Sequence, residues 1–133
     1  MTLSELGFDS LSMHSMISQK ERVAALTKFR SSQVNILVAT DVASRGLDIP
    51  TVQLVVNHNV PSAAKEYVHR VGRTARAGRG GLAVTLVTQH DVKRVHAIEA
   101  LIGLKLKLYP INGNSRRLPV TISRRSILEM VLD

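Results

Sequence analysis

Short apolar segments alternate with amphipathic helical segments between Leu11 and Gly103, and this alternation constrains the fold more than any other feature. The apolar segments lie at 11–13, 34–39, 52–57 and 82–87; the helical ones lie at 19–30, from 61 onward and from 91 onward. Such an order indicates βαβ units, so we predict an α/β fold with a mainly parallel sheet flanked by helices. Ligands of such sheets bind at the carboxyl ends of the strands. The segment from Thr40 to Asp48 and the loops after Asn57 and Thr88 are therefore candidate sites.

The first helix and the strand that follows it have distinctive patterns. Ser18 and Glu21 stand in the positions of a capping box. The apolar residues that follow recur about once per helical turn, at Val23, Leu26 and Phe29. We predict a helix over 19–30, and a strand buried on both faces at 34–39, because that run is mostly apolar.

The last helix is predicted from a stripe of apolar residues after Asp91: Val92, Val95, Ile98, Leu101 and Ile102. Gly103 is expected to end it, because glycine suits the left-handed conformation that follows many helices. The alternation stops beyond this helix, where the chain carries Arg116-Arg117 and Arg124-Arg125. We therefore predict a domain over 1–109 and a divergent basic tail over 110–133.

Composition limits the class of protein. The 133 residues are 44% hydrophobic, with two Tyr, two Phe and no Trp, which predicts one domain with an aliphatic core. The absence of Cys excludes a disulfide scaffold and a thiolate zinc site. No stretch approaches the roughly 20 apolar residues of a membrane span, and the first residues do not resemble a signal peptide. We expect a soluble intracellular protein without a membrane partner.

The net charge of +8 favours a polyanionic partner, either nucleic acid or an acidic membrane surface. A basic surface that is simply solvated remains the alternative. Charge alone does not decide between them.

The segment Ala39–Pro50 leaves a predicted strand and carries groups that suit a nucleotide or a phosphate. Thr40, Ser44 and Gly46 offer hydroxyls and close backbone approach to phosphate oxygens. Asp48 is an acceptor suited to a ribose hydroxyl. A tight turn with capping hydroxyls and an Asp41–Arg45 surface pair explains the segment equally well.

Four arginines recur at every third position, at 70, 73, 76 and 79, directly after His69. Neighbouring guanidinium groups repel each other, so the array is costly unless carboxylates or phosphates lie nearby. We favour phosphate clamps, although a solvated basic helix end is the alternative. Earlier in the chain, Gln19 and Arg22 lie three apart at a helix start and could meet one anion, but capping explains that segment more simply.

Several signals are absent from the sequence. No Gly is followed by Lys, so there is no phosphate loop, and no Asp-Glu pair is available for magnesium. The five His residues show no spacing typical of a metal site. We predict no metal site built by this chain.

Taken together, the segments Gln19–Arg22, Ala39–Pro50 and Tyr67–Arg79 resemble the carboxy-lobe motifs IVa, V and VI of DEAD-box RNA helicases, in residues, order and spacing. The match covers about Leu6 to Ile102. The segments Val56–Pro61 and Leu86–Gln89 look closest to the nucleolar, ribosome-biogenesis branch of that family.

The resemblance implies a RecA-like fold and a role for each matching residue. Arg73 and Arg76 match the arginine fingers that reach the γ-phosphate of ATP, and Asp48 matches the acidic residue near the ribose. His69 matches the residue that links motif VI to the amino lobe. Positions lining the RNA backbone are matched by Gln19, Arg22, Thr40 and Gly46.

The chain also departs from the family. The phosphate loop, the Asp-Glu-Ala-Asp box and the Ser-Ala-Thr motif of the amino lobe are missing, as is the motif IV strand expected before a helix ending near Gly7. The resemblance therefore implies a truncated carboxy lobe that uses ATP and Mg²⁺ bound mainly by an amino-terminal RecA-like lobe, with RNA as substrate and no activity alone. An RNA-binding or regulatory fragment that competes for RNA or for a helicase amino lobe is the alternative.

Overall fold

A computed structural model describes residues 3–41, 49–74 and 80–108, together with the backbone of 120–123. The chain divides into two compact units, Met1–Pro50 and Thr51–Asp133. Each unit has its own sheet and its own group of buried apolar side chains. The two units are therefore described separately.

The first unit is a βαβ arrangement. It starts with a short 3-10 helix, Ser4–Leu6, which ends at Gly7 with a φ of 80°, a conformation that glycine adopts without strain. The regular elements that follow are β1 (Ser10–Met13), α1 (Gln19–Arg30) and β2 (Ile36–Ala39). The two strands pair in parallel, with Ser10 opposite Ile36. The helix bounds and the parallel pairing predicted from the sequence are thus confirmed here.

Both ends of α1 have recognisable caps. The Ser18 hydroxyl accepts a hydrogen bond from the Glu21 N–H at 3.3 Å, and Glu21 Oε2 accepts one from the Ser18 N–H at 2.7 Å. At the other end, Ser32 takes a positive φ of 57°, and the Gln33 N–H donates to the Lys28 carbonyl at 3.0 Å. This is a Schellman turn in which Ser32 occupies the position that usually holds glycine.

The core of the first unit contains Met13, Ala25, Leu26 and Ile49, all of which are buried. The prediction that the strand near 34–39 is buried on both faces is wrong for its second half. Val38 is 53% exposed and Ala39 is also exposed, whereas Ile36 and Leu37 are half-buried. An apolar run indicates a strand, but its burial depends on which neighbours cover each face.

The second unit is built on a four-stranded sheet. Its elements are β3 (Leu54–Asn57), α2 (Ala64–Val71), β4 (Leu82–Leu86), a 3-10 turn (Gln89–Asp91), α3 (Val92–Ile102), β5 (Lys107–Leu108) and β6 (Val120–Ser123). The strand order is β3-β4-β6-β5. Strands β3 and β4 pair in parallel, whereas β6 is antiparallel to both β4 and β5.

Helix α2 begins at Ala64, three residues later than Pro61, and no side chain caps it. Helix α3 ends at Gly103, which has a φ of 65°, as predicted. Its apolar stripe is only partly buried, because Ile98 is 1% exposed while Val92 and Leu101 are 46% and 50% exposed. The apolar stripe located this helix, although only part of the stripe is buried.

The core of the second unit is aliphatic except at one position. Tyr67 is 2% exposed and packs with Val60, Val71, Ala83, Val87 and Ile98. The expectation of a purely aliphatic core is therefore wrong at Tyr67.

The backbone of 120–123 belongs to the sheet, because β6 lies between β4 and β5. These residues fall in the segment interpreted from the sequence as a divergent tail. The proposed boundary at residue 109 stays a prediction, but pairing within the sheet continues beyond it. Within the described residues, no helix has the length and apolar character needed to cross a membrane.

Candidate functional site

The candidate site residues fall in both units and partly outside the described residues. Gln19, Arg22 and Thr40 lie in the first unit; His69 and Arg73 lie in the second. Three further candidates lie outside the described residues: Gly46, Asp48 and Arg76. Ser44 and the Arg45 partner of the alternative Asp41–Arg45 pair lie outside them too.

In the first unit, two candidates contact consecutive carbonyl groups at the carboxyl end of β1. The Thr40 N–H donates to the Met13 carbonyl at 3.0 Å, and Arg22 Nη2 lies 3.5 Å from the His14 carbonyl. Thr40 follows β2 directly and is exposed. Arg22 and Thr40 therefore lie at the carboxyl ends of parallel strands, where the sequence rule directed attention.

The guanidinium of Arg22 is only partly used by these contacts. Its Nε atom is buried and has no hydrogen-bond partner among the residues that the structure describes. A buried guanidinium N–H without an acceptor costs free energy, so such groups usually meet a partner. Arg22 thus makes one long contact to the fold, and its buried Nε has no acceptor among the described residues.

The start of α1 is occupied by its own cap rather than left open. Because Ser18 and Glu21 exchange two hydrogen bonds, two of the helix's free N–H groups are satisfied internally. Hydrogen bonds from Ser18 lower the pKa of Glu21, with a smaller contribution from the nearby His14. Gln19 is exposed as the first residue of this helix. Capping, the simpler explanation of this segment, is confirmed.

At the carboxyl end of β3, three polar side chains are linked by hydrogen bonds. Asn57 is 2% exposed and donates from Nδ2 to the Thr85 hydroxyl at 3.1 Å. Arg70 Nη1 donates to Asn57 Oδ1 at 3.3 Å and to the Asn59 carbonyl at 2.9 Å. The first arginine of the repeat is therefore engaged in holding α2 to the end of β3.

At the amino end of β3, the backbone after α2 is fixed instead. The Val52 N–H donates to the Arg73 carbonyl at 2.9 Å, and Val52 forms an isolated parallel bridge with Thr74. Thr74 is 2% exposed, and its hydroxyl donates to the Gln53 carbonyl at 3.3 Å. Arg73 therefore lies beside the start of β3, whereas the strand-end rule pointed to the loop after Asn57.

The side chain of Arg73 is half-buried, and among the described residues its guanidinium has no hydrogen-bond or ion-pair partner. No described carboxylate ties it up. His69 is exposed one turn earlier, on α2. The roles inferred for both residues stay predictions, but a fixed backbone and a guanidinium without a partner among the described residues are what a phosphate contact by Arg73 requires.

Sequence reasoning missed the residues that support this region. Asn57 and Thr85 are buried polar residues in strands, and Thr74 is buried in the turn after α2. Asn57 carried a usable signal, because a polar residue ending an apolar run at a strand terminus often accepts or donates within the fold. Thr74 carried none, since its partner lies 21 residues away in the chain.

No group of three or more His, Cys, Asp and Glu side chains arranged to hold a metal ion occurs within the described ranges.

Comparison with known proteins identifies relatives over most of the chain. A family model described as the helicase conserved C-terminal domain matches residues 1–78. The probable ATP-dependent RNA helicase DDX49 of Homo sapiens is 61% identical over 111 residues, which are 84% of this chain and 23% of that protein. The ATP-dependent rRNA helicase RRP3 of Mycosarcoma maydis is 55% identical over 120 residues, which are 90% of this chain and 21% of that protein.

Solved structures give the same assignment. The fold is similar to that of the E. coli DEAD-box protein SrmB, solved in complex with regulator of ribonuclease activity A, with a TM-score of 0.78 and 38% identity over 86% of this chain and 69% of that one. The C-terminal domain of the DEAD-box protein Dbp5 has a TM-score of 0.71 and 33% identity over 76% of this chain and 60% of that one. The curated relatives are several times longer than the segment they share with this chain.

Proposed function

Because this chain belongs to the DEAD-box RNA helicase family, as its C-terminal RecA-like domain, we propose that it contributes arginine fingers and RNA-backbone contacts to ATP-driven unwinding of RNA duplexes. An amino-terminal RecA-like lobe completes the ATP site. The relatives named above are ATP-dependent RNA helicases.

The state of Arg73 is the observation that carries this proposal. Its backbone is held by Val52 and its guanidinium is free among the described residues. A preorganised guanidinium of this kind can stabilise negative charge that develops on a transferring phosphoryl group. Arginine suits this role better than lysine, because it is permanently charged and offers planar, forked donors.

The remaining nucleotide contacts follow from the resemblance. Arg76 acts as the second finger, Asp48 accepts a hydrogen bond from the ribose, and His69 links this segment to the amino lobe. ATP, bound with Mg²⁺ mainly by that lobe, supplies the phosphoryl group that is transferred. This chain's residues orient that group and stabilise its charge.

The RNA contacts are assigned to the first unit. Arg22 offers a buried Nε donor without a described partner, and Thr40 lies beside it at the carboxyl end of β1. Gln19 and Gly46 complete the set by resemblance. Such contacts reach phosphate and sugar, so they bind RNA without choosing its sequence.

The central experiment measures RNA-stimulated ATP hydrolysis by two proteins. One is the 133-residue chain alone; the other is a chimera in which this chain replaces the matching segment of the human relative, so that an amino lobe is present. We expect no turnover by the chain alone and turnover by the chimera. ATP hydrolysis by the chain alone, or a folded chimera without hydrolysis, would contradict the proposal.

Substitution of the finger gives a sharper test in the same chimera. Arg73→Ala is expected to lower kcat by about a thousandfold, which is typical of losing an arginine finger. Arg94→Ala is the matched control and should leave kcat unchanged, because within the described part of the chain Arg94 forms only a surface pair with Asp91 at 3.2 Å. If both substitutions changed kcat equally, Arg73 would not act as an arginine finger.

The alternative, a non-catalytic RNA-binding or regulatory fragment, is favoured by the net charge of +8 and by Arg22. It predicts that the chain alone binds RNA with an affinity that falls steeply with salt. Arg22→Ala should reduce the salt dependence by about one phosphate contact, whereas the exposed Lys28→Ala should change it less. RNA affinity without any hydrolysis by the chimera would select this alternative.

We further propose that the chain belongs to the ribosome-biogenesis branch of the family and acts in the nucleolus. A relative named as an rRNA helicase supports this placement. A fluorescent fusion of the chimera that stayed out of the nucleolus would contradict it.

A further inference from the structure

The segment that carries Arg73 is attached to β3 through a buried hydroxyl. Thr74, the next residue, is 2% exposed, and its hydroxyl donates to the Gln53 carbonyl at 3.3 Å. Its own N–H donates to the Val71 carbonyl at 3.0 Å, at the end of α2. Thr74 therefore joins the end of the helix to the start of the strand, one residue after the guanidinium.

The Gln53 carbonyl receives two donors. Besides the Thr74 hydroxyl, the Leu82 N–H donates to it at 3.1 Å, at the point where β4 begins. The carbonyl would keep one hydrogen bond if the hydroxyl were lost. Removing the hydroxyl alone thus leaves no buried acceptor unsatisfied, and its cost to folding should be small.

The Val52 N–H donates to the Arg73 carbonyl at 2.9 Å and the Arg73 N–H donates to the Arg70 carbonyl at 3.2 Å, so with the Thr74 contacts the Arg73 backbone is held on both sides. On this basis, and resting on the proposed function, we propose that Thr74 is a positioning residue whose hydroxyl sets the placement of the Arg73 guanidinium against the transferring phosphoryl group. Thr74 is buried and does not itself reach that group.

Positioning of this kind has a kinetic signature. A misplaced finger still contributes charge to the site, but it no longer meets the transition state in the required geometry, and displacements near 1 Å can cost about a hundredfold in rate. The loss should therefore appear in kcat while the KM for ATP stays nearly constant. A residue that merely stabilised the fold would not separate the two.

The experiment compares Thr74→Val and Thr74→Ser in the two-lobed chimera. Valine keeps the shape of threonine and removes the hydroxyl, whereas serine keeps the hydroxyl and removes the methyl group. We expect Thr74→Val to lower kcat by roughly tenfold to a hundredfold, with KM for ATP within about twofold of the parent. Thr74→Ser should stay close to the parent, and both should have similar thermal unfolding midpoints.

A double substitution guards against a general loss of structure. If Thr74 acts through Arg73, then Thr74→Val added to Arg73→Ala should lower kcat no further than Arg73→Ala alone. Losses that multiply in the double variant would overturn the positioning role.

The outcomes separate this inference from the proposed function. Parent-like kcat in Thr74→Val, with Arg73→Ala inactive, overturns the positioning role and leaves the helicase mechanism intact. Equal losses in Thr74→Val and Thr74→Ser also overturn it, because the hydroxyl would then be irrelevant. Parent-like kcat in Arg73→Ala overturns the proposed function and this inference together.

Discussion

The two ends of β3 use neighbouring arginines in opposite ways. At the carboxyl end, Arg70 donates to Asn57 and Asn59, and Asn57 in turn holds Thr85. At the amino end, the backbone of Arg73 is held while its guanidinium meets no described partner. Two residues of the same type, three positions apart, thus have different contacts among the described residues.

What separates them is the supply of acceptors. The strand terminus at Asn57 offers an amide oxygen and a backbone carbonyl within reach of Arg70, and a guanidinium so engaged stabilises the fold. At the amino end, the Arg73 carbonyl accepts from the Val52 N–H, and the Gln53 carbonyl accepts from the Leu82 N–H and from the Thr74 hydroxyl. A charged group beside a fixed backbone but without its own acceptor is available to a ligand.

The largest effect on stability is expected at the carboxyl end of β3. Asn57→Ala removes both an acceptor of Arg70 and the donor to Thr85, so it should lower the free energy of unfolding by about 2–3 kcal/mol, the cost of unsatisfied buried groups. Urea denaturation followed by circular dichroism measures this. Asn59→Ala is the matched control, because Arg70 contacts the Asn59 carbonyl, which alanine keeps. If both substitutions lower the free energy of unfolding equally, the buried Asn57 amide does not stabilise the carboxyl end of β3.

Direct comparison of the two arginines comes next. Arg70→Ala should lower the free energy of unfolding by about 2 kcal/mol, as expected for lost charge-assisted hydrogen bonds. Arg73→Ala should change it by less than about 0.5 kcal/mol, the range of surface substitutions. The same denaturation experiment reports both. A destabilisation by Arg73→Ala equal to that of Arg70→Ala would erase the distinction between the two ends.

Gly72 lies between Arg70 and Arg73, which contact the two ends of β3. A Cβ added there would meet the Val68 carbonyl oxygen at 2.9 Å, so the backbone would have to shift to relieve the contact. Gly72→Ala should cost about 1 kcal/mol through overpacking. Gly80→Ala serves as control, because among the described residues an added Cβ at Gly80 has nothing within 4 Å. A neutral Gly72→Ala would show that the turn adjusts easily and that Arg73 is held less firmly than described.

The smallest effect on stability is expected from a fall in pH, which should weaken the helix caps before it weakens β3. Hydrogen bonds lower the pKa of three carboxyls, from Ser18 at Glu21, from Thr88 at Asp91 and from Lys105 at Glu99. A lowered folded-state pKa gives stability that is present above the ordinary carboxyl pKa of about 4 and lost as pH falls through the lowered value. Glu21 is exposed, and Asp91 and Glu99 are half-buried on the surface of the second unit, so we expect the loss to be small.

The buried hydrogen bond between Asn57 and Thr85 joins two neutral side chains. Hydrogen exchange measured from pH 6 down to about pH 3 should therefore become faster first at the start of α1 and at the turn Gln89–Asp91. Exchange at Asn57 and Thr85 should become faster only at a lower pH. Simultaneous loosening of both regions would indicate that a carboxylate also supports this end of β3.

Local signals in the sequence predicted the elements well. The capping residues Ser18 and Glu21 fixed the start of α1, and Gly103 fixed the end of α3, because these features act within a few residues. The carboxyl-end rule also located Thr40 correctly. Exposure was predicted less well, as at Val38, since it depends on neighbours distant in the chain.

The family resemblance selected Arg73 and Arg76 as candidate site residues, and their roles stay predictions. The arginine repeat by itself indicated anion contacts but did not distinguish Arg70, which is engaged within the fold, from Arg73. That distinction depends on Asn57 and Asn59, which α2 approaches only after the chain has turned back along β3. Long-range pairing of this kind is invisible to periodicity and capping rules.

The position of β6 has a practical consequence for anyone who shortens this protein. Val120–Ser123 pairs with β4 on one side and with β5 on the other. Cutting after residue 109 would therefore remove the strand that lies between β4 and β5 and leave each of these two strands with an unpaired edge. Exposed flanks invite other chains to add themselves, so the shortened product should precipitate during purification even though every helicase motif named above would still be present.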